Sequence, residues 1–196
     1  HQVQLDVFGQ MMSLLHQARM GGLEESRITW SIQVAMLQQL QTIWREPDFG
    51  IWEVRGPTRH FTFSKLMVWL AFDRCIKSAE TFGKYDAPVE EWAATRELVR
   101  QDILTHGWNE EVGAFTQSYG DTALDASLLL MPMMGFLDED DPRIRSTVEA
   151  IEADLLVDGL VQRYHTSTGH DGLPPGEGTF LACSFWLADC YVLLGR

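Results

Sequence analysis

The chain is poor in positive charge: 15 Lys and Arg stand against 28 Asp and Glu, a formal net charge of -13 over 196 residues. Nucleic acid and anionic membrane surfaces both require a basic face, so neither is expected as a partner. Cysteine is scarce as well, with three in all. Cys183 and Cys190 are seven apart, which on a helix separates them by about two turns, or ~10 Å, too far to pair. Cys75 stands alone. Without a disulfide framework or a Cys-x-x-Cys pair, reduced thiols and a cytoplasmic location are expected. The six histidines show no ligand spacing, so no metal and no cofactor is expected. No apolar run approaches the roughly 20 residues of a membrane span, and the N-terminus enters an amphipathic pattern with no leader-like run. Strand-and-hairpin patterns, a Gly-x-Ser-x-Gly elbow and a phosphate-cradling glycine loop are all missing.

What remains is helical. Apolar stripes at helical spacing predict seven helices in a single domain, 1–196. They run from Val3 to Met20, from Arg27 to Arg45 behind a Ser26 cap, and from a Ser64 cap to Phe82. A fourth opens at Pro88 and ends near His106, and a fifth spans Asp121 to Phe136. Asp141-Pro142 opens a sixth, and a seventh runs from Thr179 to Leu194. The third, fifth and seventh are apolar on most faces, whereas the fourth and sixth are amphipathic. Connections alternate too: short from an apolar helix to an amphipathic one, long on the return. That is the plan of stacked αα-hairpins in an inner and an outer layer, with the long loops gathered above the N-termini of the inner helices. A rim of that kind, with the positive ends of helix dipoles beneath it, suits a polar ligand.

The long loops share a chemistry. The first holds Asp48, Trp52, Glu53, Arg55, Arg59 and His60; the second Trp108, Asn109, Glu110, Glu111, Phe115, Gln117 and Tyr119; the third Arg163, Tyr164, His165, His170, Asp171 and Glu177. Aromatic faces stack on sugar rings, arginines and carboxylates pair with hydroxyls, and carboxylic acids cleave glycosidic bonds. Glu53, flanked by Trp52 and near Arg55, is the leading acid: a carboxyl desolvated by an indole holds its proton toward neutral pH. The plainer reading is a loop whose aromatics plug the core and whose Glu and Arg form an ion pair. Lys65 reads equally as a saccharide contact and as a salt-bridge partner.

On these residues the chain resembles glycoside hydrolase family 15, which contains glucoamylases, glucodextranases and bacterial-type trehalases. The matching elements are Gln4-Leu-Asp-Val-Phe-Gly9, Pro47-Asp-Phe-Gly-Ile-Trp-Glu-Val-Arg-Gly56, His60-Phe-Thr-Phe-Ser-Lys65 and Leu124-Asp-Ala-Ser127. They continue through Gly159-Leu-Val-Gln-Arg-Tyr164, Glu177-Gly-Thr-Phe180 and Ser184-Phe-Trp-Leu187, in family order over the whole chain. The resemblance implies an all-α fold, part of an (α/α)6 toroid, and inverting hydrolysis of α-linked glucose, with a glucose-containing saccharide as ligand. It places the general acid on Glu53, a sugar-contacting pair on Arg163 and Tyr164, and Trp52 and Asp6 at the sugar-binding end.

The chain departs from the family pattern in two ways. Seven helices cannot close a twelve-helix ring, so self-association or pairing with the remainder of the barrel is expected. The family's general base falls in a Gly-Leu-x-x-Glu loop beyond Arg196, so the chain alone is expected to be inactive. Glu177 is the other carboxylate on the rim, read as a base or, in its Glu-Gly-Thr-Phe context, as a rim contact or helix cap. The alternative function is a non-catalytic α-helical carbohydrate-binding or assembly module.

Overall fold

A computed structural model describes residues 2–83, 87–138, 140–166 and 178–196. Helix α1 (Asp6–Met20) packs along α3 (Thr62–Phe82), and α2 (Arg27–Ile43) touches both more sparingly. Helix α4 (Val89–His106) lies on α3; α6 (Pro142–Leu155) covers the 3-10 turn Ala126–Leu130, which leads into the short α5 (Met131–Met134). Helix α7 (Leu181–Leu193) rests on that same turn and on α5. The inner layer is therefore α1, α3, α5 and α7, and the outer layer α2, α4 and α6, as the alternating loop lengths imply. Four two-residue strands, β1 (Trp108–Asn109) with β2 (Ala114–Phe115) and β3 (Leu156–Val157) with β4 (Leu160–Val161), form small antiparallel ladders inside the return loops.

The layers follow from the side chains. Helix α3 is buried around most of its circumference, with Leu66, Val68, Ala71 and Phe72 fully inside. The outer helices bury one stripe each; that of α6 is Ile144, Val148, Ile151 and Leu155. Trp30 of α2 and Trp92 of α4 meet edge to face at 6.3 Å, joining neighbouring outer helices. At the end away from the long loops, the buried Arg19 donates to Glu25, Gln33 and Ser78 and so closes the short connection between α1 and α2.

The expected elements are corrected at three places. Ser64 caps nothing: α3 begins at Thr62, and the Ser64 hydroxyl, one turn in, donates to Asp48 instead. The fifth helix is far shorter than Asp121 to Phe136. Residues 121–125 are non-helical, Pro132 lacks the N–H that an interior helical position needs, and Gly135 ends the segment in the left-handed region. Helix α7 is buried only through Cys183, Leu187 and Cys190; its other face leaves Leu181, Phe185, Val192 and Leu193 exposed. Helix α1 likewise exposes Val7, Met11 and Leu14. Both terminal inner helices thus carry a bare apolar face, as an open arc of a toroid requires. All three cysteines are free and buried, and no helix of the described residues is long and apolar enough to cross a membrane.

Candidate active site

The first and second return loops and the described part of the third, residues 158–166, are tied to one another by main-chain hydrogen bonds. The first is closed at its base where Asp48 and Arg59 exchange N–H···O bonds of 3.0 Å in both directions. It joins the second through the Thr62 N–H to the Gln117 carbonyl (2.9 Å) and the Tyr119 N–H to the His60 carbonyl (3.0 Å). The second segment joins the third through the Ala126 N–H to the Arg163 carbonyl, 2.8 Å. Widely separated parts of the sequence are thereby held in one frame.

Glu53 stands on the tip of a tight turn. Its N–H donates to the Gly50 carbonyl and that of Val54 to the Phe49 carbonyl, while its own φ is 51°. Only one other described non-glycine residue has a positive φ, Asp158, whose Asp-Gly pair forms the β3–β4 turn in which such angles are ordinary. Glu53 has no such excuse. A bulky residue in the left-handed region costs about 1 kcal/mol or more and persists where the surroundings impose it, most often at functional sites. The turn is anchored from below by the N-terminal segment: Gln4 donates to the Gly50 carbonyl, and the Phe49 N–H to the Val3 carbonyl.

Trp52 forms the centre of an aromatic platform. Its ring lies 5.8 Å from Phe180, 6.3 Å from Tyr164 and 6.4 Å from Trp186 between centroids. The Arg163 guanidinium sits over it at 5.0 Å, and over Tyr164 at 5.3 Å. The expected desolvation of Glu53 by this indole is not what the structure shows: the ring is occupied by its aromatic neighbours and Glu53 is exposed. Arg55 is also exposed, so the described residues show no buried Glu–Arg plug in this loop.

Two sequence-derived contacts lie beneath the rim and not on it. Lys65 is 1% exposed, and its ammonium donates to the carbonyls of Trp44 and Glu46. Burial pushes its pKa down to about 8 against the opposing charges of Asp48, Asp102 and Glu46. It props the end of α2 under the first loop. Asp6, 2% exposed, accepts from Gln10 at 2.8 Å. Near it the buried Asp48 accepts from the Leu5 N–H at 3.0 Å and the Ser64 hydroxyl at 2.8 Å, stapling α1 to α3. Glu177, with His170 and Asp171, lies outside the described residues. Among the described residues no group of three His, Cys, Asp or Glu has metal-ligating geometry.

Burial raises the Asp6 pKa from 3.8 to about 6, and the negative charges of Asp48 and Glu53 add to it. The folded chain therefore holds this proton more tightly than the unfolded one between about pH 4 and 6, and stability falls as pH rises through that window. Ionisation above it costs up to ~3 kcal/mol. Asp6→Asn should accordingly raise Tm at pH 7 and leave it nearly unchanged at pH 4. Equal shifts at both pH values, read by thermal unfolding, would contradict the burial argument.

Asp125 does more in the fold than its place in the Leu124-Asp-Ala-Ser127 run implies. This carboxylate, 3% exposed, accepts from Trp52, Gln117 and Ser127, linking the platform to the second loop and to the inner layer. The available signal was the Asp-Ala-Ser run before an apolar stretch, a helix-capping pattern.

Comparison with known proteins supports this arrangement. The profile of glycosyl hydrolases family 15 matches residues 1–196. A trehalase of Mycobacterium tuberculosis is 44% identical over 196 residues, covering all of this chain and 28% of that protein. A trehalase of Thermoplasma acidophilum is 34% identical, again over the whole chain and 33% of its own length. The chain thus spans about a third of the curated relatives it matches. Among solved structures, a glycosidase in complex with glucose superposes with a TM-score of 0.82 at 21% identity, over 99% of this chain and 50% of that one. A glucoamylase from Saccharomycopsis fibuligera gives a TM-score of 0.60 at 15% identity, over 79% of this chain and 36% of that one. These structures show the α/α toroid fold, of which the seven helices form an arc. The profile match over the whole chain and its trehalase relatives place the chain in glycosyl hydrolases family 15.

Proposed function

We propose that the chain is part of the catalytic region of an inverting glycoside hydrolase acting on α-linked glucose, with trehalose as the leading substrate and Glu53 as general acid. The observation that carries this reading is the Glu53 turn: an exposed carboxyl held in a left-handed conformation beside an aromatic platform with a guanidinium over it. The turn presents the acid, and beside it the half-buried Trp52, backed by the buried Tyr164, and the Arg163 guanidinium over both offer an aromatic edge and hydrogen-bond donors for a sugar. The trehalase relatives favour trehalose over longer glucans. The free, buried thiols suit a reducing compartment, and cytoplasmic location is part of the proposal.

Inversion needs a second carboxylate about 6.5–9.5 Å from the acid, with water between. The family resemblance places that base beyond Arg196, so the isolated chain is expected to release no glucose from trehalose or maltose, whereas the gene product carrying it with the base loop should hydrolyse trehalose. Glucose release is measured for both. Hydrolysis by the isolated chain would move the base into these residues and bring Glu177 forward. If even the larger product binds sugar without cleaving it, the region serves as a binding module.

Arg163→Ala tests the platform. Removing the guanidinium takes away a cation stacked on Trp52 and Tyr164 together with its N–H donors. In the larger gene product KM for trehalose should rise by about 10-fold, corresponding to ~1.4 kcal/mol of lost sugar binding. A fall in Tm with unchanged KM would make Arg163 a structural residue.

A further inference from the structure

The Trp52 indole N–H points at a carboxylate, not at solvent or ligand. Its Nε1 lies 3.0 Å from both Asp125 Oδ1 and Oδ2, a forked hydrogen bond that fixes the ring in two directions. The same carboxylate accepts from Gln117 Nε2 at 2.9 Å, from the Ser127 N–H at 2.8 Å and from the Ser127 hydroxyl at 2.6 Å. Asp125 also begins the 3-10 turn of the inner layer, and the next N–H, that of Ala126, bonds the Arg163 carbonyl. One buried side chain therefore ties the acid loop to the second loop and to the start of the 3-10 turn, and the adjacent main chain, through the Ala126 N–H, holds the segment that carries Arg163.

We propose that Asp125 is a positioning residue for the acid loop: its carboxylate locks the Trp52 indole, and through the peptide link from Trp52 to Glu53 it holds the acid in register with the sugar platform. Each donor around it is an N–H or O–H pointing inward, so the ionised carboxylate, an acceptor at every lone pair, is the form this nest fits. Burial raises its pKa, and the hydrogen bonds from Ser127, Gln117 and Trp52 oppose that rise. An aromatic side chain is a stiff lever: with the indole fixed at its far end, the Trp52 backbone has little freedom, and neither has the strained residue that follows it.

The proposal rests on Glu53 being the acid, and its test separates the two ideas. Asp125→Asn retains a helix-capping side chain but turns one acceptor into a donor facing N–H groups. Trp52→Phe keeps one aromatic ring but removes the indole N–H together with the rest of the pyrrole ring. In the trehalose-hydrolysing gene product, each variant should lower kcat by about 10–100-fold, the loss caused by a displaced acid; KM should stay within a few-fold for Asp125→Asn and rise for Trp52→Phe, which also trims the platform. The double variant should be no worse than the weaker single, because both changes break the same link. Multiplicative losses, or an Asp125→Asn enzyme with wild-type kcat, would overturn the proposal. The lock itself is read without turnover: in a ¹⁵N-indole spectrum the resonance missing from Trp52→Phe should be protected from hydrogen exchange in the wild type and unprotected in Asp125→Asn. An unprotected Trp52 N–H in the wild type also overturns the proposal. A protected N–H in a protein that cleaves no α-glucoside overturns the acid role of Glu53 while leaving the lock in place.

Discussion

In the larger gene product proposed to hydrolyse trehalose, Glu53→Gln is expected to lower kcat by about 10²–10⁴-fold while leaving KM within a few-fold, because the amide keeps the shape of the side chain but has no acidic proton to give the leaving oxygen. The Glu53 backbone supplies a second, independent variant. At φ 51° the residue sits where glycine is at ease and a glutamate is strained by about 1 kcal/mol. Glu53→Gly should therefore lose the same activity and yet unfold at an equal or higher temperature. That pairing separates function from structure: a residue kept for packing would cost stability when removed, and an exposed acid on a strained turn would not. Turnover within a few-fold of wild type in either variant would take the acid role away from Glu53. A marked drop in Tm for Glu53→Gly would mean that the side chain holds the turn together.

Local chemistry made much of the scaffold legible. The Ser26 and Asp141 side chains cap α2 and α6 through the Thr29 and Arg143 amides, as their types and positions imply. The alternation of short and long connections identified inner and outer layers, because a helix covered on all sides must be apolar on all sides. Where reading failed, the deciding contact was long-range. Ser64 has the composition of a cap, but its partner Asp48 is sixteen residues away and draws it into the joint between α1 and α3. Lys65 reads in sequence equally as a saccharide contact and as a salt-bridge partner, and only the fold shows Trp44 and Glu46 turning their carbonyls onto it. Glu53 beside Trp52 suggested a desolvated acid; adjacency in sequence does not tell which way an indole leans, and this one leans on Tyr164, Phe180 and Trp186. Asp125 was hardest to see, since its partner Trp52 lies 73 residues away.

The largest expected loss of stability comes from one methyl group. A Cβ added at Gly9 would lie 2.2 Å from the Met67 carbonyl oxygen and 2.8 Å from its Cα and C, all of them main-chain atoms that cannot swing aside. Helices α1 and α3 touch there backbone to backbone, and relief would require them to part by roughly 1 Å or more. They cannot part cheaply, because Met12 of one, with Leu5 just before it, and Leu66 and Leu70 of the other are buried in the same core. Alanine is the better helix former by about 1 kcal/mol, so the sign of the result decides between propensity and packing. Packing should win: Gly9→Ala is expected to cost about 3 kcal/mol, a fall in Tm of roughly 6–12 °C for a chain of this size. The damage should also reach the chemistry. Asp48 accepts from the Leu5 N–H, at the residue that leads into α1, and from α3 through Ser64, and the main chain of Asp48 closes the base of the acid loop. Forcing the helices apart pulls on that staple, so kcat should fall well below the unfolding transition, where the protein is still folded. An unchanged or raised Tm for Gly9→Ala would show that α1 and α3 do not approach as closely as this, and the staple at Asp48 would lose its role in setting the acid loop.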